Sequence, residues 1–489
     1  MNKKFSALLG QSATWQILFN EQIYKAYDIH EIIFANLEKW DYQKLNSPEA
    51  GYVLAIGDNS FHYLLYIFLA SILGIRIILI NSKHLQYFEN PDNCLNIKYI
   101  ISTRKTLSTN KEVLHFETNI KLTRDPVFNR PPINNLEQAE IIFCTSGTTD
   151  NFKLVKYYEH NLYINAEMVA NYMEFSTHDR CLCMFPLNYM YGFSVTMSML
   201  IKNGFLILEQ SAISPQAIVE YLYDERITVL PLIGSIVDNL MPHINNNMFF
   251  PNLKVLNASD KITVEQVKKI FKFAPIFWNN MGQTESGPRL FAIKIMKHEE
   301  NKLKKYSHDN IIALGYPAHK DIKIAIRDEK NIECKDGEIG ELNYKTPFAM
   351  EGYLNYKNIN KGDWISSGDL AFKAKNGLVF FVGRKSQSIK INGTFVNVNL
   401  LHFYFKRVSF IKECFFMVDK NNKICGFFNV DFTFVQDENA AVNLIQEHYK
   451  EKFKLYPRIS KLSFIKELPK TDSGKIQLKA LQELAITFN

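Results

Sequence analysis

The chain is predicted to be an α/β protein. A large N-terminal domain of mostly parallel sheets flanked by helices, with a β-rich subdomain, precedes a small α+β C-terminal domain. Three observations predict this. The 489 residues are 47% hydrophobic, enough for a large core and more than one domain. From about Tyr52 onward, apolar runs of strand length alternate with amphipathic runs of helical length, the pattern of βαβ units. After Gly383-Arg384 that pattern gives way to shorter strands and helices.

The elements follow in order. The N-terminus starts basic, but its apolar run ends at Gln11, too short for a secretion signal. The most apolar stretch, 62–80, is interrupted by Gly74 and Arg76 and falls short of the roughly 20 clean residues of a membrane helix. It reads instead as a buried helix, 63–73, and a buried strand, 76–80. Strands are expected at 52–56, 140–143, 205–208 and 229–232, and helices at 161–173, 215–225 and 264–273. Segments 311–328 and 340–344 read as β-rich. The tail carries strands or helices at 389–391, 410–418, 423–430, 440–453 and 460–465. The expected division is 1–383, a short linker 384–388, and 389–489.

Composition excludes several classes. Charged residues are 22% and there is no low-complexity tract, which argues against disorder. The net charge of +7 comes from lysines spread along the whole chain, and no nucleic-acid motif accompanies them. The 7 cysteines form no CxxC pair, so neither a zinc site nor a disulfide framework is expected. Reduced thiols and a cytoplasmic location follow.

Five stretches carry chemistry. In Phe143-Cys144-Thr145-Ser146-Gly147-Thr148-Thr149-Asp150-Asn151-Phe152-Lys153, an apolar strand runs into a hydroxyl-rich loop with a lysine behind it. Small residues let backbone N–H groups approach phosphate oxygens, and Lys153 adds a point charge. The GxxxxGK[ST] spacing is absent, so the P-loop reading fails. In Asn280-Met281-Gly282-Gln283-Thr284-Glu285, a carboxylate beside a hydroxyl on a Gly-loosened turn suits Mg²⁺; a helix N-cap at Thr284 fits equally well. Ser366-Ser367-Gly368-Asp369 offers a carboxylate for two adjacent hydroxyls, or an ordinary turn. In Gly383-Arg384-Lys385-Ser386-Gln387-Ser388-Ile389-Lys390-Ile391-Asn392-Gly393, Arg384 can pair with phosphate or ribose oxygens, and Gly393 permits close backbone approach. Finally, Pro469-Lys470-Thr471-Asp472-Ser473-Gly474-Lys475 places a lysine on a Ser-Gly turn near the C-terminus; a solvated lysine is the plainer reading.

Taken in this order and spacing, the five stretches resemble the adenylate-forming superfamily of acyl-CoA synthetases, luciferases and nonribosomal peptide synthetase adenylation domains. The resemblance covers about residues 50–481 and leans toward stand-alone bacterial acyl activators. It implies that ATP and Mg²⁺ turn a carboxylic acid into an acyl-AMP with loss of pyrophosphate. A thiol, coenzyme A or a phosphopantetheine arm on an acyl carrier protein, then takes the acyl group.

By the same resemblance, Thr145, Ser146, Gly147, Thr148, Thr149 and Lys153 cradle the phosphates. Gly282 lies at the nucleotide, Thr284 and Glu285 at Mg²⁺ and the α-phosphate, Asp369 and Arg384 at the ribose. Lys475 is the catalytic lysine on a mobile C-terminal domain, Ser386 the hinge, and Gly393 part of the thiol tunnel. Some positions depart from the family pattern. Asp150-Asn151-Phe152 replaces a Gly-x-Pro, Met281 replaces an aromatic residue, and Leu400 and His402 replace an acidic pair. A carrier-protein loader and a catalytically impaired nucleotide binder therefore stay open as alternatives. Gly192 stands where amino-acid-activating members carry Asp, which points to a fatty or other non-amino acid. Tyr189, Tyr191, Phe193, Ile233 and Val237 are the expected pocket walls.

Overall fold

The computed structural model describes residues 4–483 except 11, 48, 50, 91–94, 105, 121–137, 146–152, 210–212, 246, 309, 329, 356–361, 386–387, 392–393, 407, 454–455, 470–480 and 482. The chain divides into two compact units. The first comprises Met1–Ile324, Tyr344–Ile365 and Asn376–Phe380, the second Ala325–Asn343, Ser366–Lys375 and Phe381–Asn489.

Two sheets build the first unit. One is seven-stranded, in the order Gly352–Tyr353, Lys153–Tyr158, Glu140–Thr145, Arg76–Ile80, Tyr52–Ile56, Ile97–Ser102 and Glu112–His115. Its last five strands are parallel, and the first two run antiparallel at one edge. The other is nine-stranded, in the order Tyr316–Pro317, Gly287–Met296, Ile276–Gln283, Lys254–Asn257, Val229–Leu232, Arg180–Cys183, Phe205–Leu208, Gln16–Phe19 and Gln22–Lys25. Six of these, from Ile276–Gln283 to Gln16–Phe19, are parallel. Helices lie between the sheets: Glu159–Tyr172 packs on Lys153–Tyr158 of one and on Gly287–Met296 of the other.

The apolar stretch near residue 70 behaves as expected. Helix Ser60–Leu73 starts where the Asn59 side chain accepts a hydrogen bond from the His62 amide and stops at Gly74, whose φ of 66° only glycine takes without strain. It is buried on almost every face, so a membrane-like composition marks a core helix. No helix among the described residues is long and apolar enough to cross a membrane.

The β-rich expectation at 311–328 and 340–344 is met by strands Ile311–Ile312, Tyr316–Pro317, Lys323–Arg327 and Gly340–Lys345. The last two join Ile365–Lys373 and Val379–Arg384 in a four-stranded sheet. In the second unit, strands Ile411–Val418, Ile424–Val430 and Ile459–Phe464 form a sheet covered by helices Val398–Phe405 and Glu438–Lys452. Phe405, Phe416, Phe428 and Tyr449 fill the space between. Leu468 and Leu481 belong to one buried apolar cluster with Met417, Cys425 and Phe427. Residues 470–480, which include Lys475, lie outside the described residues.

The elements before Tyr52 were not expected. Gln16–Phe19 and Gln22–Lys25 form a hairpin, and Ala26–Leu37 is a helix. The short apolar run at the N-terminus is a 3-10 turn, Phe5–Leu9, with Phe5 buried between Tyr163 and Phe193.

Candidate active site

In the first unit the site begins with strand pairing. Strands Glu140–Thr145 and Lys153–Tyr158 run antiparallel with Thr145 opposite Lys153, so the loop joining them leaves and returns at one point. The Thr145 hydroxyl lies 3.5 Å from the Lys153 carbonyl. Ser146, Gly147, Thr148, Thr149 and Asp150 lie outside the described residues. Cys144, beside them, is inert because burial pushes its thiol up to about 12.

Thr284 and Glu285 occupy the turn of a hairpin between strands Ile276–Gln283 and Gly287–Met296. The N-cap reading of Thr284 is therefore wrong: no helix follows it. Gly287, at φ 85°, closes the turn. Buried Tyr157 locks it from beneath. Its hydroxyl donates to the Thr284 carbonyl at 2.5 Å and accepts from the Gly287 amide at 2.8 Å. Ser286 Oγ accepts from the Gln283 amide at 3.0 Å. Gly282 is required by packing, since a Cβ there would sit 2.2 Å from the Pro288 carbonyl oxygen. Thr284 and Glu285 themselves stay half-buried.

Tyr353 links this turn to the lysine. Its hydroxyl donates to Glu285 Oε1 at 3.0 Å, and Lys153 Nζ lies 5.3 Å from the centre of its ring. Tyr353 gets there because the short strand Gly352–Tyr353 adds to the edge of Lys153–Tyr158. Leu154 N donating to Asn355 Oδ1 at 2.9 Å ties down the residues that follow. A cation, an aromatic hydroxyl and a carboxylate thus line one edge of the unit. Tyr157 and Tyr353 were not among the site residues expected from the sequence.

No group of three or more His, Cys, Asp or Glu among the described residues makes a metal cage. One half-buried carboxylate with a hydroxyl beside it fits Mg²⁺, which keeps waters and takes most of its other ligands from a bound phosphate chain.

In the second unit, Asp369 and Arg384 meet. They stand on strands Ile365–Lys373 and Val379–Arg384, and Arg384 Nη1 lies 3.0 Å from Asp369 Oδ1. The carboxylate is buried and the arginine exposed, so the pair presents its cationic side to solvent. The Asp369 amide donates to Ser367 Oγ at 3.0 Å, and Gly368 takes a φ of 71°. Lys385 pairs with Glu341 at 2.7 Å. Gly383 has no room for a side chain, because a Cβ would sit 2.2 Å from Asn397 Nδ2. Ser386 and Gly393 lie outside the described residues.

The expected pocket walls divide. Phe193 is core, edge-on to Phe5 and Phe143. Tyr191 is buried, and its hydroxyl donates to the Leu256 carbonyl at 2.9 Å. Val237 is fully buried, and Tyr189 is 44% exposed. Gly192 does not face a pocket, since a Cβ there would lie 2.3 Å from the Phe185 carbonyl oxygen. Tyr191 stands by the carboxyl ends of strands Val229–Leu232 and Lys254–Asn257, where parallel sheets bind ligands. Ser259, just beyond, takes the left-handed φ of 69° that a glycine would take at less cost. Arg289 stands over the Tyr191 ring, its Cζ 5.0 Å from the ring centre, and was not singled out from the sequence.

Comparison with known proteins says what class of protein carries this Thr-Glu turn. The model of the AMP-binding enzyme family matches residues 73–354, more than half of the chain, and the chain belongs to that family. It is an AMP-forming acid–thiol ligase. It is 24% identical to a 2-succinylbenzoate–CoA ligase of Enterococcus faecalis, over 95% of this chain and 96% of that one. Two solved structures share the fold. One is o-succinylbenzoate CoA synthetase (MenE) from Bacillus subtilis in complex with OSB-AMP, with a TM-score of 0.76, 17% identity and 96% of both chains covered. The other is ATP-bound MatB from Rhodopseudomonas palustris, with a TM-score of 0.77, 16% identity and 99% of both chains covered.

Proposed function

We propose that the chain uses ATP and Mg²⁺ to activate a carboxylic acid that is not an amino acid, and passes the acyl group to coenzyme A. The observation that carries the reading is the locked Thr284–Glu285 turn, joined through Tyr353 to Lys153. Fatty, hydroxy and aryl acids all fall within this reading. The buried guanidinium of Arg289 beside Tyr191 disfavours an α-ammonium in the same space, because two desolvated like charges repel.

The chemistry runs in two steps. The substrate carboxylate is already ionised at neutral pH and needs no general base. It attacks the α-phosphorus of ATP and pyrophosphate leaves. Lys153 and the 145–149 loop hold the departing phosphates, and Thr284 and Glu285 hold the α-phosphate region. Mg²⁺ at Glu285 would neutralise charge on the phosphate oxygens. Tyr353 orients the Glu285 carboxylate, and Tyr157 keeps its turn from moving. Asp369 takes the ribose hydroxyls, steadied by Arg384. Lys475 stabilises the charge that develops between the acid and the phosphate. The thiol then attacks the activated carbonyl, and AMP leaves. The linker 384–388, with Ser386, is the proposed hinge between the two steps, and Gly393 lines the thiol's path.

ATP–pyrophosphate exchange with Mg²⁺, run across fatty, hydroxy, aryl and amino acids, tests this. Exchange with a non-amino acid is the expected result. Silence from folded protein that still binds ATP would leave the impaired nucleotide binder.

A further inference from the structure

Arg289 is a buried cation that the activation chemistry does not use. It is 2% exposed. Its Nη1 donates to the neighbouring Pro288 carbonyl at 2.8 Å, but Nε and Nη2 have no hydrogen-bond partner. No carboxylate pairs with it among the described residues. The groups facing it are the Tyr191 ring and the Tyr172 phenol, and the guanidinium's charge works against the rise that burial imposes on that phenol's pKa. The Tyr172 hydroxyl donates to Asn280 Oδ1 at 3.0 Å and turns its lone pairs to the guanidinium, but a neutral phenol supplies no counter-charge.

A desolvated guanidinium without an anion is among the costlier arrangements a fold can keep. Nε and Nη2 form one edge of the guanidinium, and that edge matches the two oxygens of a carboxylate. Both helices that pack on the strand of Arg289, Gly287–Met296, also carry a buried polar side chain. Asn165 and Ser194 are fully buried on the helices Glu159–Tyr172 and Met190–Ile201, and neither side chain has a hydrogen-bond partner. Asn165 Nδ2 lies 3.1 Å from where a Cβ on Gly287 would be, two residues before Arg289. Tyr172 also lines a cavity of about 760 Å³ with His160, Glu167, Asn171, His319 and Asp321, and Arg289 is not part of that lining.

We propose that Arg289 is a specificity-determining residue that binds a second carboxylate, carried by the acid at a position remote from the carboxylate being activated. The inference rests on the ligase reading above and narrows its substrate class to dicarboxylic acids. A plain fatty tail would leave the guanidinium buried and unpaired.

The test uses matched pairs of acids: octanoate with octanedioate, and 4-oxo-4-phenylbutanoate with 2-succinylbenzoate, which adds one ring carboxylate. Binding to the full chain is measured by titration calorimetry, and exchange by kcat/KM, for wild type, Arg289→Met and Arg289→Lys. Wild type is expected to favour the diacid of at least one pair by about tenfold or more. Arg289→Met should bring that ratio to about one through the KM for the diacid, and Arg289→Lys should restore part of it. Equal binding of both members of each pair by wild type would overturn the proposal, as would equal losses for both members in Arg289→Met. If that variant does not fold, the wild-type calorimetry still decides. A diacid preference in binding, with exchange silent for every acid, would uphold this site while removing the ligase reading.

Discussion

At the residue scale, Tyr353 is the clearest case of a side chain whose importance comes from what it touches. Its hydroxyl holds a carboxylate, and hydrogen bonds to charged groups contribute about 1.5–3 kcal/mol. Tyr353→Phe is therefore expected to raise the KM for MgATP about tenfold while the melting temperature stays near that of wild type. Steady-state kinetics over a range of MgATP concentrations check this, and an unchanged KM would remove Tyr353 from the site. Glu159 makes a different point. It is fully buried, and its Oε1 accepts from the Phe5 amide at 2.7 Å and from Ser71 Oγ at 2.8 Å. Burial raises its pKa, and these donors only partly offset that. The raised value means the folded state holds the proton more tightly than the unfolded one. Its contribution is full below the ordinary glutamate range and is lost as pH rises through the raised value. Glu159→Gln should remove that slope, so its melting temperature relative to wild type climbs across this window and then levels off. A parallel pH profile for the two proteins would show that Glu159 does not titrate there.

At the scale of elements, the hairpin 276–296 explains both what was legible and what was not. Close approach of its two strands makes Gly282 irreplaceable. Gly282→Ala is expected to cost about 2 kcal/mol or more of stability and to lower exchange as the Thr284–Glu285 turn shifts. Denaturant unfolding measures the first effect and exchange the second. Strands Tyr52–Ile56, Arg76–Ile80, Phe205–Leu208 and Val229–Leu232 could be read to the residue because they are short, apolar and buried in parallel sheets. The hairpin could not. Asn279, Asn280 and Gly282 interrupt its apolar pattern, and the two asparagines are buried only because Asn257, Ala313 and Tyr172 supply partners from distant segments. The site divides the same way. Asp369 and Arg384 stand out in sequence and meet in space, whereas Tyr353 and Arg289 have meaning only once strand pairing or helix packing places them.

At the scale of the whole molecule, the proposed work is divided along the chain. Lys153, Thr284, Glu285, Tyr353 and Arg289 belong to the first compact unit, and Lys475 to the span of the second. Lys475→Ala is accordingly expected to abolish acid-dependent exchange while leaving ATP affinity and the melting temperature close to wild type. Equal exchange rates in variant and wild type would remove the lysine from the first step.

The pairing of Gln16–Phe19 with Phe205–Leu208 also bears on how the protein is made. Gln16 lies beside Phe205, so about 190 residues must be synthesised before the first strand can find its parallel neighbour. At ~5–20 residues per second that wait is about 10–40 s. Through it, the hairpin Gln16–Phe19/Gln22–Lys25 holds an open edge and the apolar side chains of Ile17 and Phe19, both buried in the finished protein. An unpaired apolar edge invites association with other chains. The nascent chain is therefore exposed to aggregation through this wait, before the Thr284–Glu285 turn has been made.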